Sequence, residues 1–547
     1  MEKAFEEDAA EGMMYKCPLA QAQRDFPGPL LRIAAQAALE KGENSWRIVH
    51  DATHGVGINR HIKPRDQLAS PAGAELRCLV ELARLQPGPH FLLKLDVKKA
   101  HRRFLHRPSD WGLLGCRTGA GPNVTDVWIN RVGTFGVGSA AYWWSRLAAA
   151  IARIVMALWG KRFAFQVIYV DDLLLTAWGV DKYETLLLAV ALWMMAGAPF
   201  SWKKTGGGLD VDYIGYSLSL RTYELGISEG RARWLVDFAE KLVEDKVALV
   251  RSLAGWLGRV GYAAGVLEWA RPFLGPIYAW SAAAPGGATL PVPEAVLLVV
   301  AWVAAQLKAG GRVTPCRKAE VALGELFRTD AKGEEGRVVL GGWRTLGAAS
   351  PAAAEWFSLE VGPAQAPWLF RAGQASAAIS AAELLATKVA VQLWAPAAEA
   401  RRGATRLTGL TDNKGNSHII LKQLTTKMPV AAVLMQLTTD LHRAGLSLDL
   451  EWVPREENTE ADALTNEDFA LFIPSLRIPI TWEDVDLGVV RDVLAVERSF
   501  REQLGELKGA RAQERGTPGG GPPEAEPPWP RRPQGRGPKR QRLDAWV

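Results

Sequence analysis

Short apolar runs of strand character alternate with longer stretches of helical spacing through the middle of the chain. FLLKLDV (91–97), FQVIYV (165–170) and DYIGYSL (212–218) predict strands, whereas 140–158 and 180–195 predict helices. From 228 to 280 the pattern is wholly helical, with turns expected at Gly261 and Pro272. A Pro/Gly/Ala-rich stretch at 282–293 separates it from another helix. Around Ala322 the character changes, and strand, hairpin, helix, strand, helix, strand and helix follow to about Leu471. The first 44 residues are mixed and hard to place. Residues 516–538 hold eight prolines and many glycines with almost no aliphatic side chains. Such a segment cannot bury enough apolar surface to offset its ordering entropy, so it is expected to be disordered. There is no internal repeat.

Composition narrows the class. The 547 residues are 48% hydrophobic and 23% charged, ordinary for a soluble globular protein of several domains. Lys plus Arg is 65 and Asp plus Glu is 59, a net charge of only +6. Removing residues 531–547, with six basic and one acidic side chain, leaves 59 basic against 58 acidic. Any nucleic-acid binding must therefore rest on particular residues and not on overall charge. The acidic N-terminus has no long apolar run and is not a secretory signal. The apolar stretches 186–200 and 295–307 fall short of the roughly 18–20 residues a membrane span needs, so they read as buried helices and no membrane partner is expected. Cys17, Cys78, Cys116 and Cys316 are far apart, which fits a reducing, intracellular compartment.

The sharpest chemical signal is Tyr169-Val170-Asp171-Asp172, set between FQVI and LLLTAW. Two adjacent carboxylates inside an apolar hairpin are costly unless something pairs with them. A divalent cation suits them, because carboxylates are hard oxygen ligands for Mg²⁺ or Mn²⁺. Asp96 ends the strand FLLKLD in a similar setting. Neighbouring strands with an Asp at each end could hold two metal ions about 3.5–4 Å apart, as in-line phosphoryl transfer requires. An isolated Asp-Asp is otherwise a turn or a solvated face. The surrounding blocks weigh against that reading.

Those blocks are SWRIVHDATHGVGIN (45–59), LLKLDVKKAHRRFLHRPSD (92–110), GTFGVGSAAYWWSRL (133–147), VIYVDDLLL (167–175), FSWKKTGGGLDVDYIGYSL (200–218) and VRSLAGWLGRVGYAAGVLEWARPFLGPIYAW (250–280). In this order they resemble the reverse transcriptases of LTR-like and tyrosine-recombinase retrotransposons, over about 45–280. The resemblance implies Asp96 and Asp171 as metal ligands, with Asp172 supporting the second metal or the primer end. It implies Arg47 and Lys204 as cations on the triphosphate, and Phe135 and Gly136 as lining of the nucleotide pocket. His101 stands where the family usually has an aromatic residue that excludes a ribose 2′-hydroxyl. It could hydrogen-bond that hydroxyl instead. Thr134 replaces the family's proline before Phe-Gly.

A second set of carboxylates follows. FRTDAKGEEGRVVLGGW (327–343) is a strand ending in Asp330, a turn, and a strand with paired glycines. ISAAELLATKVAVQLW (379–394) is a helix with Glu383 in its first turn. TRLTGLTDNKGNSHIILKQL (405–424) is a strand ending at Asp412, then a helix. LSLDLEWVPREENTEADALTN (446–466) is a strand, a polar loop and a helix start carrying Asp462. The order resembles the ribonuclease H fold, whose Asp-Glu-Asp-Asp set implies two Mg²⁺ ions for cleaving the RNA of an RNA–DNA hybrid. Lys332 departs from the small hydroxyl residue often found there.

The expected architecture is α+β and α/β multidomain: a right-hand polymerase followed by a ribonuclease H-like domain. The divisions are an N-terminal extension (1–44), fingers and palm (45–220), a helical thumb (221–281), a connection or linker (282–320), the ribonuclease H-like domain (321–475), a helical segment (476–508) and a basic tail (509–547). Partners implied by the resemblance are an RNA template, a DNA primer, an RNA–DNA hybrid and dNTPs, with two Mg²⁺ or Mn²⁺ ions per site. A decayed or domesticated element that binds nucleic acid without catalysis is the alternative. The tail reads equally as a phosphate-binding arm, a nuclear import signal around 538–542, or a solubilising segment. No protease, integrase or zinc knuckle is visible, which is compatible with a fragment or one product of a larger element.

Overall fold

The structure is a computed structural model that describes residues 1–42, 45–119, 125–160, 164–316, 321–370, 378–396 and 405–516. Of the basic tail expected to be disordered (509–547), residues 517–547 lie outside the described residues, whereas 509–516 instead continue helix Glu497–Gly516.

One four-stranded antiparallel sheet runs in the order Gly206–Gly208, His90–Asp96, Asp172–Trp178, Ala164–Tyr169. LLLTAW does not alternate because both faces of its strand are covered. Leu173, Leu175 and Ala177 face the helices Ser139–Trp159 and Lys182–Met195, whose Trp144, Ile151, Leu186 and Trp193 complete that core. Leu174, on the other face, joins Leu92, Val167 and the hydrophobic residues of the helices after 228.

The unplaced N-terminal residues turn out to be ordered. Helix Glu2–Ala10 sets Phe5 edge-on to Trp128 at 5.6 Å, and strand Met14–Pro18 pairs antiparallel with Asp126–Asn130.

Three sequence expectations are corrected. DYIGYSL is two strands, Asp210–Tyr213 and Tyr216–Ser219, because Ile214 and Gly215 both take positive φ and reverse the chain. The 228–280 region is not wholly helical. Val247–Leu249 pairs with Thr289–Pro291, and Gly261 lies inside helix Val250–Ala263 and not at a turn, where a Cβ would meet the Tyr278 hydroxyl oxygen at 3.0 Å. The helical run Glu294–Gly311 is 18 residues long with mean hydropathy 1.4, so it does reach the length and apolarity of a membrane span. In this fold its Val296, Val299, Val300 and Val303 are buried, and Trp302 stacks on Phe273 at 3.7 Å.

A second, five-stranded sheet runs Trp356–Val361, Arg337–Arg344, Val321–Glu334, Thr405–Thr411, Leu446–Trp452; the last two pairings are parallel. Helix Ile379–Trp394 lies on it and helix Val430–Ala444 packs against that helix. The strand Trp356–Val361 and helix Val430–Ala444 are elements the pattern did not predict. The paired glycines have a packing reason: a Cβ on Gly341 would meet Leu464 Cβ and Thr465 Cγ2 at 3.0 Å, so helix Thr459–Thr465 could not approach. Helix Glu497–Gly516 returns to pack on Leu274–Ala283 with Phe500 fully buried.

Strand Glu224–Ile227 pairs with Val313–Pro315, bringing the end of the Glu294–Gly311 run back to the earlier hairpin. A Cβ on Gly226 would sit 2.0 Å from Arg312 O. Gly226→Ala is therefore expected to lower stability by about 1–3 kcal/mol, read as a shift in the denaturation midpoint.

Candidate active site

The Asp pair sits at a strained hairpin. Asp96 and Asp172 are direct cross-strand partners, and Val170-Asp171 form the two-residue turn that leads into the Asp172 strand. Val170 has φ +54°, a conformation that costs a β-branched residue about 1–3 kcal/mol. Neighbours hold it there. Trp144 Nε1–H donates to Val170 O at 2.5 Å, and Val97 N–H donates to Asp171 O at 2.8 Å. Tyr213 O–H donates to Asp172 O at 2.7 Å. Burial, then the charges of Asp171 and Asp96, push the Asp172 carboxyl above its usual range; Lys94 and Lys204 oppose this.

Five of the predicted residues meet Asp96 at one cleft of ≈ 340 Å³: Arg47, His101, Phe135, Asp171 and Lys204. The Arg47 guanidinium lies 5.0 Å over the Phe135 ring, and Phe135 packs edge-on to His101 at 4.8 Å. Burial holds His101 below its ordinary pKa, and His50, also lining the cleft, is pushed down to about 4. Both imidazoles are therefore neutral at pH 7. Gly136 shapes the wall: at φ +97° its missing Cβ would lie 1.9 Å from His50 O. The Lys204 ammonium donates to Asp96 Oδ2 at 2.7 Å.

Asp172 borders a second groove, of ≈ 940 Å³, with Lys94, Tyr169, Arg231, Trp234 and Tyr262. Arg259 lies 4.2 Å over Trp234 and Arg231 lies 5.8 Å over Tyr262. Flat rings interleaved with cations suit stacked bases and phosphates.

The later carboxylates also converge. Burial and then Asp412 raise Asp330 to about 7, with Asp462 adding to the shift. Burial raises Glu383 to about 8, opposed by a hydrogen bond from Asn413 and increased by Asp330 and Asp412. Asp412 is raised by burial first, and Asp462 adds to it. Two local details differ from the sequence reading. The strand continues past Asp330 to Glu334 because the hairpin turns later, and Glu383 is beyond the first helical turn. Arg455 was not singled out, yet its Nη2 donates to Asp462 Oδ1 at 2.5 Å and its charge lowers Asp330, Glu383 and Asp412. Its only signal in the sequence was a cation in the polar loop before Asp462.

Among the described residues, no three His, Cys, Asp or Glu side chains are close enough together to hold a metal ion as they stand. The donor chemistry nevertheless suits a hard cation. Glu383 Oε2 and Asp412 Oδ1 are buried without a hydrogen-bond partner, within a cluster whose charges repel.

No protein-family model matches the sequence, and no curated protein matches it. Among solved structures the chain is similar to a foamy viral protease-reverse transcriptase in complex with dsDNA, at 11% identity and TM-score 0.44, covering 82% of each chain. A dRH form of the foamy viral protease-reverse transcriptase with ds DNA gives 10% identity and TM-score 0.43, covering 82% of this chain and 68% of that one. The same foamy viral protein with an RNA/DNA hybrid gives 10% and 0.39, covering 77% of this chain and 50% of that one.

The raised carboxyls have a measurable consequence. Asp330 and Glu383 titrate near 7 and 8 when folded, against reference values of 3.8 and 4.5. The folded chain therefore binds more protons than the unfolded chain between about pH 4 and 8, and this contribution to stability is lost as pH rises through that window. In divalent-free buffer, denaturant midpoints should fall across the window, and Glu383→Gln should flatten the fall. Identical slopes for both proteins would remove Glu383 as a cause.

Proposed function

We propose that the chain is an RNA-directed DNA polymerase that also cleaves the RNA strand of RNA–DNA hybrids in a ribonuclease H-like unit. The observation that carries this reading is the pairing of Asp96 with Asp172 across one sheet, with Asp171 in the adjoining turn and Arg47, His101 and Phe135 around the same cleft. Mg²⁺ or Mn²⁺, two per site, would be held by Asp96, Asp171 and Asp172, and by Asp330, Glu383, Asp412 and Asp462. Bound there, such ions activate an attacking oxygen and stabilise the leaving one.

The chain's own groups have distinct tasks. Arg47 balances triphosphate charge, while Phe135 and His101 pack against base and sugar. The Lys204 ammonium, paired with Asp96 at 2.7 Å, would turn to a phosphate of the incoming nucleotide. In the second unit Arg455 screens Asp462 and offers a cation to the hybrid backbone. The groove of cations and flat rings beside Asp172 also suits a second reading, a nucleic-acid binder without catalysis.

Primer extension on an RNA template with Mg²⁺ separates them. Asp171→Asn should lower extension by about 100-fold or more. No extension by wild type above that variant would leave the binding-only reading. A labelled RNA–DNA hybrid should be cut by wild type and spared by Asp412→Asn. Substituting His101→Tyr should reduce ribonucleotide incorporation, and an unchanged ratio would mean that His101 is not the sugar gate.

A further inference from the structure

The loop that follows Asp96 is gripped by the N-terminal segment. Lys99 Nζ reaches Asp8 Oδ1 at 2.7 Å and Glu11 Oε1 at 2.8 Å, and Arg102 Nη2 reaches Asp8 Oδ2 at 3.1 Å. Lys98 and Arg103 extend the set to Glu11 at 3.7 and 3.8 Å. Asp8 and Arg102 are largely desolvated, at 15% and 12% side-chain exposure, so their pair is not the screened surface kind. Lys99 has φ +55°, an uncommon conformation for a lysine, and it leads into the short turn Ala100–Arg102 that carries His101. The grip is anchored in turn. Phe5 is buried on Trp128, Met13 O accepts from Arg131 N–H at 2.9 Å, and Arg102 Nη1 donates to Asn130 Oδ1 at 3.1 Å. Glu7 and Asp8 line the same cleft as Arg47, Asp96, His101 and Asp171.

We propose that Asp8 and Glu11 are positioning residues of the nucleotide cleft, fixing through Lys99 and Arg102 the turn that presents His101, and thereby setting nucleotide affinity and sugar discrimination. This rests on the polymerase reading. The acidic pair has two effects. It holds a backbone conformation that Lys99 would not favour alone. It also neutralises Lys99 and Arg102, so that the triphosphate is directed toward Arg47 and away from the loop cations.

The test is the full-length double variant Asp8→Asn/Glu11→Gln, compared with wild type in steady-state extension with dNTPs and rNTPs, and in equilibrium binding of a fluorescent dNTP. The expected result is a KM for dNTP, and a dissociation constant for the probe, raised about tenfold with kcat at saturation retained. Preference for dNTP over rNTP should fall, while Asp8→Glu, which keeps the anion, should restore wild-type values. Unchanged KM and probe affinity would overturn the proposal. So would a loss confined to kcat that tracks a lowered melting temperature, the mark of a merely structural contact. Should the double variant not fold, Glu11→Gln alone carries the comparison. Wild type that binds the probe but extends no primer would defeat the polymerase reading, and probe affinity would still decide the role of Asp8 and Glu11.

Discussion

Burial of carboxylates, compounded by their mutual repulsion, is the constraint on which both candidate sites depend. Asp171 and Asp172 lie at one hairpin with Asp96 on the strand beside it. Asp330, on a strand of another sheet, and Asp412, directly after the neighbouring strand, interact with Glu383 and Asp462 on helices. Neither cluster is neutralised by an equal number of cations: Lys204 meets Asp96, and Arg455 meets Asp462. Burial, reinforced by the remaining charge, raises carboxyl pKa values, and two buried oxygens have no hydrogen-bond partner. A scaffold that only needed stability would not retain such groups, since burying like charges opposes folding. The arrangement makes sense where something positive arrives.

The scaffold tolerates this through rigidity close to the charges. The Val170-Asp171 turn is strained, and each of its carbonyls is taken by a fixed donor. Two such hydrogen bonds, each contributing about 0.5–1.5 kcal/mol, are of the size needed to offset the strain. Trp144 comes from helix Ser139–Trp159 and Val97 directly follows the neighbouring strand His90–Asp96, so the turn is held by residues distant in sequence. Gly136 and Gly341 do the same work by omission, letting backbone or helix approach where a Cβ would collide.

Chain ends add long-range ties. The first strand pairs beside residues 126–130, and the first helix supplies acids to the loop after Asp96. Helix Glu497–Gly516 closes over Leu274–Ala283, linking the last described segment to helices more than 200 positions earlier. The buried Lys388, within 3.9 Å of Asp440, shows the same economy, with one cation and one anion sharing an interior position.

Much of this was legible from residues alone. Short continuous apolar runs located the strands ending at Asp96 and around Asp171-Asp172, because a strand buried on both faces must be apolar at nearly every position. Motif order brought Arg47, His101, Phe135 and Lys204 to the argument, and the cleft then gathered them. Other features had no local signature. A reversal at Ile214-Gly215 was hidden inside an apolar run that reads as one strand, and Trp356–Val361 and Val430–Ala444 went unmarked. Asp8, Glu11 and Arg455 look like ordinary solvated charges in sequence. Their partners lie 88 or more positions away for the first two contacts, and only packing brings them together. The sequence by itself determined which carboxylates and which apolar faces exist, since those follow from residue type and local period. Tertiary structure decided which charges share a dielectric environment, because electrostatic energy depends on separation in space and not along the chain.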